Sequence, residues 1–134
     1  MCERDHRGRP RHLDEYVDTL VAKVRPRAVV LFGSRARGEE DRYSDYDLLV
    51  ISDELPADLW QRLDLLWQDK PADVDVLGFT VEELEACLHR GLILDALLDG
   101  VTLVGNIKDW CERASAYLAE SGLVRTPYGY FHPS

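Results

Sequence analysis

Ala28-Val29-Val30-Leu31-Phe32-Gly33-Ser34-Arg35-Ala36-Arg37-Gly38 and, five residues on, Ser44-Asp45-Tyr46-Asp47-Leu48-Leu49-Val50-Ile51 decide how this chain is read. The run from Ala28 to Phe32 is apolar throughout and ends at a glycine, the pattern of a strand covered on both faces. Asp45 to Ile51 reads as a second strand, central in the sheet. Between them, Gly33 lets the backbone turn sharply and approach a ligand. A short helix capped by Ser34 and running through Arg37 would aim free N–H groups and its positive dipole end outward. With the Ser34 hydroxyl and the Arg35 and Arg37 cations, that is a cradle for phosphate. Taken alone the turn is also compatible with an ordinary strand-to-helix connection.

Asp45 and Asp47 lie two apart on the second strand, so both carboxylates project from one face, about 7 Å apart along the backbone. Strand interiors disfavour Asp, and two like charges there are costly unless a cation neutralises them. Oxygen-only donors favour Mg²⁺ or Mn²⁺. The plain alternative is a solvated strand end with Asp45 in the loop. A third acid comes from Asp73 to Phe79, which alternates with Val74 and Val76 on one face and Asp73, Asp75 and Leu77 on the other. A lone carboxylate buried in an apolar strand is expensive. If this strand lies beside the second, three carboxylates meet. Asp73 faces the same way and competes for the role; Asp75, deeper in the strand, is favoured. Acids gathered opposite a phosphate-binding turn suit metal-assisted phosphoryl or nucleotidyl transfer.

Around this centre the pattern alternates helix and strand. Leu13, Tyr16, Val17, Leu20 and Val24 form one helical stripe stopped by Pro26. Pro56 suits the first turn of a helix carrying Leu59, Leu63, Leu66 and Trp67, with Trp67 expected in the core and Trp60 off the stripe. Thr80-Val81-Glu82-Glu83 is a capping box that starts another helix. Leu92 to Leu98, a strand at Val101 to Val104, and a last amphipathic helix from Ile107 through Leu118 follow. The expected architecture is α/β (α+β), a small mixed sheet with helices packed against it. Residues 12–122 read as the domain. Residues 1–11 read as an unanchored start, and 123–134 as an aromatic-rich tail that folds back or docks a partner or sister subunit, so a homo-oligomer stays open.

With 134 residues, 46% hydrophobic and 31% charged, the chain has one domain's composition and can bury a core. Its formal net charge of −9 is unevenly spread: residues 1–42 hold 10 Lys/Arg against 8 Asp/Glu, and residues 43–134 hold 6 against 17. Such a surface repels phosphate backbones, which argues against stable nucleic-acid binding. Cys2, Cys87 and Cys111 form no metal or disulfide pattern, no apolar block suggests a membrane span or leader, and a cytoplasmic location is expected.

These residues resemble the minimal nucleotidyltransferases of the DNA polymerase beta-like nucleotidyltransferase superfamily. The resemblance rests on Leu31-Phe32-Gly33-Ser34-Arg35-Ala36-Arg37-Gly38, Ser44-Asp45-Tyr46-Asp47-Leu48 and Val74-Asp75-Val76, and covers roughly Leu13 to Gly105. It implies the nucleotidyltransferase fold and Mg²⁺ held by Asp45 and Asp47. It further implies Asp75 as an additional ligand and base for the attacking hydroxyl, with Gly33 and Ser34 on the triphosphate of ATP. It also implies a partner: many such proteins act as antitoxins of a HEPN-domain toxin, transferring AMP onto a toxin tyrosine. A non-catalytic module that neutralises its partner by occlusion and an adenylyltransferase for a small molecule are the alternatives.

Overall fold

The computed structural model describes residues 9–33, 46–126 and 129–131. Helix α1, Arg11–Val24, buries Leu13, Tyr16, Val17, Leu20 and Val24 along one stripe. It stops where Arg25 turns left-handed, at φ 43°, immediately before Pro26. Strand β1, Ala28–Phe32, is buried at every position. Strand β2, Tyr46–Ile51, pairs antiparallel with it, Phe32 opposite Asp47 and Ala28 opposite Ile51.

Helix α2, Leu59–Trp67, starts at Asp58, whose side chain accepts from the Gln61 N–H at 2.9 Å. Pro56 therefore precedes the helix instead of opening it, because the aspartate cap outcompetes the proline as a start signal. The helix is the crossover that lets β3, Val74–Phe79, run parallel to β2. Next comes α3, Val81–Ala86, with both halves of the Thr80–Glu83 capping box formed. Helix α4, Gly91–Asp99, leads to β4, Val101–Gly105, which pairs antiparallel with β1 through a register shift at Val29/Val30. Helix α5 is Lys108–Ser121.

The sheet order is β3-β2-β1-β4, with the strands that carry the apolar runs Ala28–Phe32 and Leu48–Ile51 inside, as the sequence implies. Strand alternation divides the core. Val29, Leu31, Leu48, Val50, Val74 and Val76 face α1 and Leu66 of α2. Ala28, Val30, Phe32, Leu49 and Ile51 face Leu84, α4 and α5. Leu48 and Leu49, both fully buried on opposite faces, would each cost about 2–5 kcal/mol on truncation to Ala.

One packing expectation fails. Trp67 is 53% exposed, because α2 seats Leu66 and Arg62 on the sheet instead. The C-terminal tail is a hairpin of β5, Val124–Thr126, and β6, Gly129–Phe131. Its Tyr130 packs beside Gly91 and donates to Asp95 Oδ1 at 2.8 Å, so this part of the tail folds back on α4.

Candidate active site

Three strand ends meet at one edge of the sheet: the C-terminal end of β1 and the N-terminal ends of β2 and β3. Phe32 pairs with Asp47 across the β1–β2 ladder, and Asp47 pairs with Asp75 across β2–β3. Directly paired residues share a face, so both acids project on the side of Leu49 and Ile51. Neighbouring strands are about 4.8 Å apart, which brings two carboxylates within reach of one cation. Asp47 is half-buried. Asp75 is exposed, because β3 is the edge strand among the described residues; neighbouring Leu77 is 39% exposed. The expectation of a carboxylate sunk in apolar surroundings is corrected on this point.

Gly33 closes β1 at φ +83°, a backbone state that costs an L-residue about 1–2 kcal/mol. A Cβ there would sit 2.6 Å from Asp47 Oδ2. The glycine thus serves twice, turning the chain and leaving the volume that the Asp47 carboxylate occupies. That cradle and the all-oxygen donor set fit a hard divalent cation, with Asp47 and Asp75 as the described residues able to hold it. Among the described residues no group of three or more potential ligands assembles. Asp45, Ser34, Arg35 and Arg37 lie outside the described residues, as does the short helix expected after Gly33.

Asp73 does not join the pair. His12 Nε2 lies 2.9 Å from both its carboxylate oxygens, and the His12 ring stands edge-on to Tyr46 with centroids 6.5 Å apart. The Asp73 side chain therefore engages α1, on the opposite face from Asp75, while its carbonyl accepts from the Tyr46 N–H at 2.8 Å. No sequence signal pointed to His12, which is 61 residues from its partner.

A second polar cluster supports the edge strand from behind. Arg62 of α2 is buried and donates to both carboxylate oxygens of Glu83, at 2.7 and 3.1 Å, and to the carbonyls of Gly78 and Pro56. The Arg62 guanidinium, helped by the Thr80 N–H, holds the Glu83 carboxyl below its usual range against the opposing effect of burial. Arg62 also satisfies a β3 carbonyl, tying α2 to the strand that carries Asp75. Tyr16 donates to the Leu66 carbonyl, and burial pushes its phenol well above the ordinary value.

A profile for the nucleotidyltransferase domain matches residues 13–100, which span α1 through α4 and include Gly33, Asp47 and Asp75. Among solved structures, a toxin–antitoxin crystal structure with AMP-PNP is similar over 81% of this chain and 89% of its own, with 20% identity and a TM-score of 0.58. A mutant of the toxin–antitoxin MntA–HpeT matches 81% and 88%, at 17% identity and a TM-score of 0.59. A putative nucleotidyltransferase from Sulfolobus solfataricus matches 72% and 80%, at 21% identity and 0.54. These likenesses concern the fold. The family profile covers most of the chain and the same strands that juxtapose the acids, so this chain belongs to the nucleotidyltransferase domain family and is a nucleotidyltransferase.

Proposed function

We propose that the chain transfers AMP from ATP to a hydroxyl of a partner protein, acts as the antitoxin of a HEPN-type toxin, and works in the cytosol with Mg²⁺ or Mn²⁺. The observation that carries this reading is the Asp47–Asp75 register with Gly33 against the Asp47 carboxylate. In the reading, Asp45 and Asp47 with Asp75 hold the divalent ion. The ion supplies charge neutralisation for the triphosphate and for the leaving group. Gly33 and Ser34 present backbone N–H groups and a hydroxyl to the phosphates, with Arg35 and Arg37 as supporting cations. The exposed Asp75 takes the proton of the incoming hydroxyl. That oxygen bonds to the α-phosphorus as the bond to the bridging oxygen breaks, and pyrophosphate departs.

Two facts support a protein acceptor. The fold is similar to toxin–antitoxin crystal structures, one of them with AMP-PNP. The acidic half of the chain also favours encounter with a basic partner. The experiment is co-expression with a HEPN-domain protein and incubation with α-labelled ATP. Label should appear on the partner with wild type and vanish with Asp47→Asn; labelling that survives the substitution defeats the mechanism. Neutralisation of the toxin by an unlabelling Asp47→Asn chain would favour occlusion.

A further inference from the structure

Helix α2 turns its only cation inward and its tryptophans outward. Arg62 is 6% exposed and spent on Glu83 and two carbonyls, whereas Leu59, Trp60 and Trp67 are 60%, 75% and 53% exposed. Trp60 and Trp67 are seven residues apart, two turns, so they stand on one side of the helix about 10 Å from each other. Beside them Gln61, Asp64, Leu65 and Gln68, at helical spacing, line a shallow groove walled by Trp67. Asp58, Asp64 and Asp69 are exposed along the same segment, and no ion pair among the described residues reaches them. Two nearby lysines, held by main-chain carbonyls, offset part of this charge and leave the three carboxylates in excess. Lys23 donates to the carbonyls of Leu65 and Gln68, and Lys70 to those of Pro71 and Val74.

Exposed tryptophans grouped with a groove are the composition of an anchoring surface, and the surrounding acids select what it anchors. We propose that the outer face of α2 docks a basic amphipathic helix of the protein that receives the nucleotide. The apolar stripe of that helix lies against Trp60 and Trp67, and its arginines or lysines lie against Asp58, Asp64 and Asp69. Charge decides the occupant. A second copy of this chain, itself at −9, would bring acids against acids, and nucleic acid or an anionic lipid surface would be repelled. An arginine gains twice here, from a carboxylate and from an indole face. Helix α2 packs through Leu66 on the face of the sheet opposite to Asp75, so the docked helix anchors the partner and a different part of that protein supplies the hydroxyl. The role of the occupant as acceptor rests on the proposed function; the docking itself does not.

The probe is a labelled helical peptide of about 18 residues with leucines on one stripe and arginines flanking it, titrated with the full chain by fluorescence anisotropy. Binding should weaken about tenfold or more in Trp60→Ala/Trp67→Ala, and by a similar factor in Asp64→Lys/Asp69→Lys, each first checked for an unchanged circular dichroism melt. A peptide with glutamates in place of the arginines should not bind. Asp47→Asn should bind the arginine peptide as wild type does. Equal affinity of the Trp variant, or of the glutamate peptide, overturns the docking. So does sedimentation showing a dimer that Trp67→Ala dissolves. Peptide binding without AMP transfer by wild type would overturn the proposed function and leave the docking standing.

Discussion

Gly33→Ala separates two costs that the structure assigns to one residue. The first is conformational: at φ +83° an alanine loses about 1–2 kcal/mol of stability. The second is steric. The new Cβ would lie 2.6 Å from Asp47 Oδ2 where ordinary contact begins near 3.4 Å, so the carboxylate must retreat by about 0.8 Å. A displacement near 1 Å at a reacting centre costs on the order of 100-fold in rate. Gly122 is the internal control, with φ +73° at the end of α5 and nothing within 4 Å of its virtual Cβ. Gly122→Ala should lose a similar 1–2 kcal/mol, roughly, in urea unfolding and keep its transfer rate. Gly33→Ala should match it in stability, or lose somewhat more, and fall about 100-fold in transfer. Transfer by Gly33→Ala within a few-fold of Gly122→Ala would refute the claim that Gly33 makes room for a working carboxylate.

Three further outcomes follow from other contacts. Asp75→Asn should abolish transfer while Asp73→Asn, which weakens only the contact with His12, should retain most of it in the labelling assay; the reverse would move the third acid to Asp73. Glu83 has a folded pKa below its unfolded one, so it contributes stability above the ordinary value of 4.5 and loses it as pH falls through the folded value. Urea unfolding of wild type should therefore weaken below about pH 4.5 more than that of Glu83→Gln, and parallel acid limbs would count against the Arg62 pairing. Tyr130→Phe removes the bond to Asp95 and should cost about 0.5–1.5 kcal/mol while speeding proteolysis of the terminal hairpin; an unchanged rate would mean that the hairpin is held elsewhere.

The parts of the fold that were legible are those where one local signal sufficed. The apolar runs of β1 and β2 can only be interior strands, and the Thr80–Glu83 box names a helix start by its own chemistry. Tertiary choices were not legible. Periodicity puts Leu66 and Trp67 on the same broad stripe, and only the seating of Leu66 and Arg62 against β3 turns Trp67 outward. Alternation told which face Asp75 takes but not that β3 is an edge, which is why its exposure was misjudged. Val124–Thr126 and Gly129–Phe131 are three residues each, too short for any period, and the anchor at Asp95 lies 35 residues away. At the site, the spacing of Gly33, Asp47 and Asp75 was readable. The clearance between Gly33 and Asp47 was not, since it exists only once β1 and β2 pair.

Acids facing each other on adjacent strands push those strands apart, and among the described residues the outer strand has a neighbour on one side alone. On the proposed reading, a cation held between Asp47 and Asp75 would offset that repulsion. Loading and cohesion would then be one equilibrium seen from two sides: a cation and phosphate ester entering this margin would also fasten the last plank of the sheet.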